Sequence, residues 1–413
     1  MKTFLLYYLI LICSLTFAQS SSVYSRYGIG DIKHSFSTRY KALGGLGVSI
    51  YDKYHISTIN PASWTSFDRT KIEFALSYNG VMVSNINKKT FTAETEVEGI
   101  NFGFPVEKDL GIGVALGLIP VSRVSYKTKF NFVNSDSMIS NYDITLEGKG
   151  GLSKIFIGSS VKLSNNFSIG GAFDYYFGSF RYISAIAFTN QNNFSSEYTL
   201  NYRPYGYGAT LGIISSSLNE LIRSEDLSNI NFGISASFYS KFKTDSVITG
   251  VSSVLVDTIA QYSDYMQLPP KFNIGLSFLL KQKYLFTFDY STQDFSKFKV
   301  FSKTSDNLQS LHKFRIGFEA QAVNELSQKL MERVLWRIGL SYEKTPYKFY
   351  DVGINQYSFL AGLSLPINPD NLIDLSFEYA LRGTTDNNLI KENFFKLNVS
   401  LVFNELWFLR FEK

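Results

Sequence analysis

The feature that most constrains this chain is a strict alternation of apolar and polar residues in its second half. Apolar side chains occupy every second position of residues 230–238, 284–290, 373–381 and 397–403, and mostly small, polar or charged residues lie between them. Successive side chains of a β-strand point to opposite faces, so a period of two predicts strands with one apolar face and one polar face.

Fourteen segments with this pattern occur from residue 71 onwards. They span residues 71–84, 94–106, 110–130, 143–163, 167–188, 196–216, 229–243, 271–281, 283–292, 311–322, 334–344, 355–366, 371–382 and 393–404. Short turns at 107–109 and 281–283 contrast with long connections at 244–270 and 293–310, an arrangement typical of outer-membrane barrels. The connections 218–227 and 323–334 are predicted to be short amphipathic helices at the periplasmic rim.

The composition agrees with a barrel that is apolar outside and polar inside. Aromatic residues make up 16% of the chain, whereas charged residues make up only 18%, below the roughly 25% of soluble domains. Membrane barrels place aromatic side chains at both interfaces and polar residues in the lumen. The predicted fold class is therefore all-β, a 14-stranded antiparallel transmembrane β-barrel.

The first 18 residues have the composition of a signal peptide. A basic start precedes an apolar run over residues 4–17, and Ala18 favours cleavage before Gln19. The run is too short to span a bilayer as a helix. Cys13, the single cysteine, lies inside it; lipidation of Cys13 is an alternative that the bulky Ile12 disfavours. The mature chain is therefore expected to have no disulfide and no catalytic thiol.

Residues 38–67 break the strand pattern. They contain a cluster of glycines and then an Asn-Pro-Ala sequence. Asn caps helices and Pro is tolerated at the first helical position, so this sequence predicts the start of a short helix. The glycines would let the backbone pass close to a wall. We interpret residues 19–70 as an arm and hatch that plug a barrel formed by residues 71–413, with the motif residues Gly44, Gly45, Gly47, Asn60, Pro61 and Ala62.

Pro120 interrupts the third predicted strand. Proline cannot donate to a β-ladder, and a closed barrel has no free edge, so a bulge or kink is predicted there. One interpretation is a wall defect that forms a lateral gate at Pro120, Ser122 and Arg123. The alternative is that Pro120 lies above the bilayer in an extracellular extension.

Eight charged residues fall on the polar faces of predicted strands. A charge is tolerated in the lumen, whereas Lys or Arg on the lipid face costs about 2–4 kcal/mol at mid-depth. We expect these charges to pair with each other and with the plug. An acid–base pair of Asp374 and Glu378 is a weaker alternative, since no nucleophile accompanies it. The eight are Asp174, Asp289, Arg315, Glu319, Arg337, Asp374, Glu378 and Arg382.

No motif predicts an enzyme, a cofactor or a metal site. Gly45 and Gly47 resemble part of a phosphate-binding loop, but no Lys-Ser or Lys-Thr follows them. The histidines His34, His55 and His312 have no ligand spacing. A net charge of +5 is too small to indicate a nucleic-acid partner.

Aromatic and apolar residues also occur in two predicted long loops and after the last strand. We interpret the loop residues as an upper aromatic girdle; an entry site for hydrophobic ligands and a docking face are alternatives. Trp407 and Phe408 are either an interfacial anchor or part of a frayed tail. The loop residues are Tyr262, Tyr265, Met266, Leu268, Tyr347, Phe349 and Tyr350.

Residues 39–62, in which the glycine cluster and a short polar stretch precede Asn-Pro-Ala, resemble the hatch of FadL-type long-chain fatty-acid transporters of the outer membrane. Residues 24–31 and 403–408 are similar to Bacteroidota members of this superfamily. The resemblance implies a fourteen-stranded barrel, an N-terminal plug, and uptake of hydrophobic molecules through a lateral opening at a kinked third strand. The chain departs from the family at Ser63, where Gly usually follows Asn-Pro-Ala.

The predicted function is passive uptake of hydrophobic or amphipathic molecules, fatty acids among them, with lateral exit into outer-membrane lipid. The main alternative is a non-transporting FadL-like barrel that is a structural or docking subunit of an outer-membrane protein assembly or secretion complex. A third alternative is a soluble β-sandwich adhesin. The predicted location is the outer membrane of a Gram-negative cell, with other outer-membrane proteins as further partners.

Overall fold

The structure is a computed structural model. It describes residues 22–45, 47–133, 141–188, 195–216, 222, 226–252, 256–321, 330–368 and 370–407. The predicted signal peptide, Phe408 and most of the predicted helix 218–227 lie outside these residues. No helix in the described ranges is long and apolar enough to cross a membrane.

The described residues form one antiparallel sheet and a few short helices. The helices are α1 (Thr38–Ala42), α2 (Leu330–Arg333) and 3-10 turns at Val23–Arg26, Pro61–Ser66, Phe295–Lys297 and Asp386–Asn388. The strands are β1 (Asp31–Ile32), β2 (Thr70–Ser84), β3 (Lys89–Glu107), β4 (Ile112–Pro120), β5 (Ser122–Phe132), β6 (Tyr142–Ser164), β7 (Phe167–Phe188), β8 (Ser196–Ser215), β9 (Leu227–Tyr239), β10 (Lys241–Ser252), β11 (Val256–Gln267), β12 (Lys271–Leu280), β13 (Tyr284–Asp294), β14 (Lys299–Val300), β15 (Ser310–Ala320), β16 (Leu335–Phe349), β17 (Val352–Pro366), β18 (Leu372–Arg382) and β19 (Lys391–Glu405).

The sheet closes into a barrel because β19 pairs with β2. Three wall strands are each divided into two segments. β4 and β5 form one strand, because both pair with β6, and β9 and β10 form another, because both pair with β8. β11 and β12 form the third, because β11 pairs with β10 and β12 pairs with β9. With each broken pair taken as one strand, and the two-residue strands β1 and β14 set aside, fourteen strands form the wall. The predicted 14-stranded antiparallel transmembrane barrel is confirmed.

The alternation seen in the sequence decides which side chains face the lumen. In β13, Thr287 and Asp289 are buried, whereas Phe288 between them is 40% exposed on the outer wall. A closed ladder satisfies the backbone N–H and C=O groups within the wall, as a membrane interior requires. The outer face is therefore apolar and the lumen polar. We call the end with the β10–β11 hairpin the upper end, and the end with the short turns the lower end.

The prediction of a long loop at residues 244–270 is wrong, because β10 and β11 form a hairpin there. The buried residues Thr244 and Ser246 alternate with polar Lys243 and Asp245, so neither face is apolar enough for the period of two to show. The break before β12 contains Pro269 and Pro270, which cannot donate to a ladder. The hairpin thus continues two wall strands upwards past a bend.

An apolar core closes the upper end of the lumen. Tyr24 and Ile29, near the N-terminus, pack in one cluster with Phe242, Phe295 and Tyr347 of the upper wall and its connections. The ring centroids of Tyr24 and Tyr347 are 6.0 Å apart. Burying aromatic side chains away from water stabilises this end of the barrel.

The predicted aromatic girdle is wrong for three of its members. Met266, Leu268 and Tyr347 are buried in the upper core, because the loops in which they were expected are strands or strand ends. Tyr262 and Tyr265 are exposed on β11 rather than in a loop. Phe349 packs against the edge of the core, and Tyr350 is exposed in a turn.

Two predictions at the lower end have different outcomes. Of the helix predicted over 323–334, the described part contains only α2. Trp407 lies on the outer wall, with its ring centroid 5.9 Å from that of Phe102. This position fits the predicted interfacial anchor better than a frayed tail.

Candidate functional site

The lumen is filled by residues 34–45 and 47–69, which we call the plug. The side-chain Oδ1 of Asn60 accepts a hydrogen bond from the Ala62 N–H at 3.1 Å, and Pro61 takes the first position of the 3-10 helix. The short helix predicted from this sequence is therefore present. Asn60 Nδ2 also donates to the carbonyls of Val48 at 2.7 Å and Ile213 at 3.1 Å. One residue thus caps a helix, ties the plug together and attaches it to β8.

The plug backbone lies against wall positions that have no side chain. A Cβ on Gly212 would overlap Asn60 Oδ1, and a Cβ on Gly317 would lie 2.6 Å from the Leu43 carbonyl oxygen. Glycines at which an added Cβ would lie within 3.0 Å of a polar, backbone or Cβ atom of the plug occur on eight strands, and we call them the glycine belt: Gly113, Gly170, Gly212, Gly233, Gly275, Gly317, Gly339 and Gly362. Because the belt leaves no gap for a methyl group, the plug fits the wall closely.

Replacing Gly212 with alanine is expected to lower the free energy of unfolding by about 1–3 kcal/mol, because the methyl group would overlap Asn60 in a packed site. Denaturant unfolding of the full chain in detergent micelles measures this change. The matched control is Gly171→Ala on the neighbouring strand, where the added methyl meets only Leu211 at 3.4 Å. Equal losses in both variants would contradict the close fit.

Six charged side chains form a closed ring between the plug and the lower wall, which we call the ion ring. Its order is Arg39, Glu319, Arg337, Asp374, His55 and Asp52, and Asp52 returns to Arg39. The Arg39–Glu319 distance is 2.8 Å, and His55 lies 2.7 Å from Asp374 and 3.0 Å from Asp52. Acidic and basic groups alternate, so each member has two neighbours of the opposite kind.

The ion ring is buried and attaches the plug to the wall. Arg39 is 8% exposed and the other five members are 4% exposed or less. Three members come from the plug and three from β15, β16 and β18. Removing one partner of a buried ion pair costs about 3–5 kcal/mol. The ring therefore holds the plug in one position.

Asp374 and Glu378, the predicted acid–base pair, have separate partners in the structure. Asp374 is occupied by His55, Arg337 and Ser400, and Glu378 lies 3.6 Å from Lys396 instead. Within the described ranges, no group of three or more His, Cys, Asp or Glu side chains is placed to hold a metal ion. The lumen charges act as attachments.

His55 makes the attachment of the plug depend on pH. Burial alone would lower its pKa, but the carboxylates of Asp52 and Asp374 outweigh burial and raise the pKa to about 10. A raised pKa stabilises the folded state fully below the unfolded pKa of about 6.5, and this contribution is lost as pH rises through the folded pKa. The free energy of unfolding is therefore expected to decline between about pH 6.5 and about pH 10.

Unfolding across this pH range, in wild type and in His55→Gln, tests the prediction. The variant is expected to be less stable at neutral pH and to lack the decline that His55 causes. His312→Gln is the control, because His312 contacts Tyr290 within the wall at 2.8 Å and should keep the decline. Tyr40 and Glu73 also lie near His55 and are unchanged in both variants. A decline of equal size in the two variants would sink the prediction.

The third wall strand is interrupted between β4, which ends at Pro120, and β5, which begins at Ser122, and we call this interruption the kink. β4 pairs with β3 up to Ile100 and Leu118, whereas β5 above Pro120 pairs with β6 and, in the described part of the sheet, not with β3. On the facing strand, Gly150 and Gly151 have φ values of +115° and +155°, in the range that favours glycine. β3 and β5 therefore separate above the kink, and we call this opening the seam.

Residues 22–33, which we call the arm, fill the seam with backbone. β1 adds to β5 over two residue pairs, with Ile32 opposite Ser122. The Lys33 N–H donates to the Val121 carbonyl at 2.9 Å, and the Ser22 N–H donates to the Ser125 carbonyl at 3.1 Å. The arm thus supplies hydrogen bonds that β3 would make in an unbroken wall.

Charged side chains close the other side of the seam. The Lys33 ammonium contacts Glu96 and lies 3.1 Å from Glu98, both on β3. Arg123 of β5 lies 3.1 Å from Glu96 and 3.8 Å from Glu94. The seam is therefore bridged by backbone on one edge and by ion pairs on the other.

The start of the arm is attached beyond the other edge of the seam, at β18 and β19, which follow β3 and β2 around the wall. Glu392 accepts hydrogen bonds from the Ser22 hydroxyl at 2.8 Å and the Val23 N–H at 2.7 Å. Asp31 lies 2.7 Å from the Arg382 guanidinium. Burial raises the pKa of the Tyr24 hydroxyl to about 12, so Tyr24 stays neutral and donates to the Ile390 carbonyl at 2.5 Å. The arm is thus attached on both sides of the seam, to β5 on one side and to β18 and β19 on the other.

The cavities described in the lumen are smaller and less apolar than a hollow on the outer wall. A cavity of about 110 Å3 lies between the plug and the arm, and another of about 60 Å3 lies beside Pro120. A cavity of about 430 Å3, lined by both polar and apolar side chains, lies below the ion ring. The hollow of about 770 Å3 is lined by outward side chains such as Phe288, Phe314 and Phe359. No described cavity forms an apolar path from the loops to the seam.

Most of the predicted site residues lie either at the plug and its ion ring or at the seam and the arm that fills it. Gly44, Gly45 and Gly47 lie on the plug with φ of +91°, +103° and +72°; Pro120, Ser122 and Arg123 border the seam. Glu319, Arg337 and Asp374 join the ion ring, and Arg382 holds the arm. Elsewhere, Asp174 pairs with Lys154 at 3.0 Å, Asp289 accepts from the Gly47 N–H at 3.0 Å, and Glu378 faces Lys396.

Sequence reasoning missed the partners that the N-terminal residues supply. Arg39, Asp52 and His55 complete the ion ring, and Lys33 bridges the seam. A signal was present at Glu94, Glu96 and Glu98, which alternate on one face of a predicted strand. Three like charges facing a lumen require cations from elsewhere.

Comparison with known proteins gives one family and a set of similar folds. The model of the family described as BamG matches residues 1–412. The comparison with curated proteins gives no match.

Solved structures share the fold at low sequence identity. A FadL homologue from Pseudomonas aeruginosa has a TM-score of 0.64 at 10% identity and covers 92% of this chain and 100% of its own. The toluene transporter TbuX of Ralstonia pickettii has a TM-score of 0.59 at 12% identity, covering 90% and 99%. The toluene transporter TodX of P. putida has a TM-score of 0.56 at 15% identity, covering 92% and 99%. At these identities the likeness extends to the fold alone.

Proposed function

This chain belongs to the BamG family, and from that premise we propose that it is an outer-membrane barrel with a permanently sealed lumen. In this proposal it is a structural or docking subunit of an outer-membrane protein assembly. It carries no catalytic chemistry and needs no cofactor. The Bacteroidota affinity implied by residues 24–31 and 403–408 remains a prediction, as does cleavage after Ala18.

The observation that carries the proposal is that the N-terminal residues close the lumen at both levels. The buried ion ring fixes the plug below, and the arm and the upper core close the barrel above. A hydrophobic ligand would have to displace the Lys33 ion pairs and the hydrogen bonds of Glu392 before it reached the seam. The match to BamG also favours an assembly-related role over uptake.

Affinity purification of the tagged full chain from native membranes, followed by native mass spectrometry, tests the docking role. We expect a complex of constant stoichiometry with another outer-membrane protein. A single-residue variant of the seam, Pro120→Val, is expected to leave that complex intact, since the docking role does not require opening of the seam. Recovery of the free monomer under conditions that preserve known outer-membrane complexes would contradict the docking role.

A second candidate function is uptake of hydrophobic molecules with lateral exit. The kink at Pro120 and the separation of β3 from β5 favour it, as does the fold shared with toluene transporters. In this case Pro120→Val is expected to reduce uptake of a fluorescent fatty acid, because the strand would be restored to the ladder. Uptake that is the same in wild type, Pro120→Val and cells lacking the chain would rule it out.

A further inference from the structure

We propose that the cavity between the plug and the arm binds one oxyanion, a phosphate or carboxylate group, through the guanidinium of Arg315. The site goes beyond the proposed function, because it holds for a sealed barrel and for a transporter alike. Its ligand would join the plug to the wall at a level above the ion ring.

Arg315 is a buried cation without a partner. It lies on β15, is 3% exposed and lines the cavity of about 110 Å3. Among the described residues, none accepts a hydrogen bond from its Nε, Nη1 or Nη2. A buried charge that is neither paired nor hydrogen-bonded is strongly unfavourable, so this position calls for an anion.

The neighbouring carboxylates are already occupied. Asp289 lies opposite Arg315 on β13, but its oxygens accept from the N–H groups of Gly47 at 3.0 Å and Val48 at 3.3 Å. Glu343 lies 2.7 Å from Lys313 and 3.2 Å from His34. Neither lies within ion-pair distance of Arg315 in the described part of the barrel.

The other cations that line the cavity are also paired. Seven Lys or Arg residues and six Asp or Glu residues line it among the residues described. Every cation but Arg315 has a carboxylate within 4.0 Å: Lys33, Lys41, Arg123, Lys313, Arg382 and Lys396. Arg315 therefore carries the surplus positive charge of the cavity.

The surroundings of Arg315 leave room for a small anion. A Cβ built on Gly45 of the plug would lie 3.6 Å from Arg315 Cζ, so the bare glycine backbone borders the guanidinium. Ser341, the register partner of Arg315 on β16, also lines the cavity and offers a hydroxyl donor. The volume of about 110 Å3 is several times what one water molecule needs, but it is too small for an acyl chain.

The chemistry of the side chain selects the class of ligand. A guanidinium presents N–H groups in a planar fork that matches two oxygens of a carboxylate or phosphate. Both a free anion and the headgroup of a lipid carry such oxygens. The shared ligand is thus an oxyanion group, and the two sources are separated by experiment.

Calorimetric titration of the purified full chain in detergent with inorganic phosphate, and separately with acetate, tests the site at constant ionic strength. We expect saturable one-to-one binding of at least one anion. Arg315→Gln is expected to weaken that binding at least about tenfold, since hydrogen bonds to a charged group are lost. Arg315→Lys keeps the charge without the fork and is expected to bind with intermediate affinity. Lys396→Gln is the matched control, because it removes a paired cation from the same cavity.

Native mass spectrometry of the chain, extracted from its membrane in phosphate-free detergent, identifies the source. A phospholipid retained by wild type and Lys396→Gln but lost from Arg315→Gln would support the site and assign a headgroup. Binding of phosphate or acetate without a retained lipid would support it and assign a free anion. If neither anion binds and no lipid is retained, or if Arg315→Gln and Arg315→Lys both behave as wild type, the proposal is overturned.

Discussion

Replacing Glu319 with alanine is expected to lower the free energy of unfolding by about 3–5 kcal/mol. Glu319 accepts hydrogen bonds from Arg39 of the plug at 2.8 Å and 2.9 Å, and it also pairs with Arg337 of the wall. Alanine leaves two buried guanidinium groups close together without the carboxylate between them. Both the repulsion and the uncompensated burial act on the junction of plug and wall.

Two measurements on detergent-solubilised protein check this result. Denaturant unfolding gives the loss in free energy, and limited proteolysis shows whether the plug becomes cleavable before the wall unfolds. The control is Glu378→Ala, because Glu378 faces Lys396 at 3.6 Å and the two side chains are 15% and 28% exposed. This pair is longer and more exposed than the pairs of Glu319, so removing Glu378 is expected to cost less stability than removing Glu319. A Glu319→Ala variant no less stable than this control would show that the ion ring does not hold the plug.

Deleting residues 22–33 is expected to open the seam and expose the lumen above the plug. Without Cys13, the mature chain has no cysteine, so one cysteine introduced at Asn79, a buried position lining the upper cavity, reports access. Labelling by a membrane-impermeant maleimide is expected to be at least about a hundredfold faster in the deletion variant. The estimate follows from the loss of two hydrogen bonds to Glu392, each contributing about 1.5 kcal/mol or more.

The control for the deletion is a change at the same end of the barrel that leaves the arm in place. Replacing the exposed turn at residues 85–88 with glycines alters the upper rim without touching the seam. We expect slow labelling of the Asn79→Cys reporter in this variant and in wild type. Fast labelling in wild type would show that the arm does not seal the lumen.

The wall was predictable because each of its strands carries a local pattern. Residues 167–188 were predicted as one strand, and β7 has the same bounds. The β10–β11 hairpin was not found, since it has polar residues on both faces and lacks the apolar alternation that a bilayer imposes. Patterning thus reports the environment of a strand, and it fails where that environment changes.

The plug was predictable as a segment but its attachments were not. The capped helix at Asn60 follows from local rules, and the kink at Pro120 follows from the missing N–H. The contact of His55 with Asp374 joins residues 319 positions apart, and no local pattern pairs them. The lumen charges on the wall were found because strand periodicity assigns them a face, whereas a plug without periodicity assigns none to Arg39 or Asp52.

The attachment of the plug to the wall also has a consequence for the order of folding. Ile56 of the plug donates to Glu73 on β2 at 3.3 Å, while His55 beside it contacts Asp374 on β18. The plug therefore spans the junction at which β19 joins the first strand of the cylinder to the last. Bringing together strands so distant in sequence is entropically costly, and a plug already docked on both sides lowers that cost. We therefore expect the plug to act as a template around which the cylinder closes, so that damage to it slows barrel formation as well as weakening the finished seal.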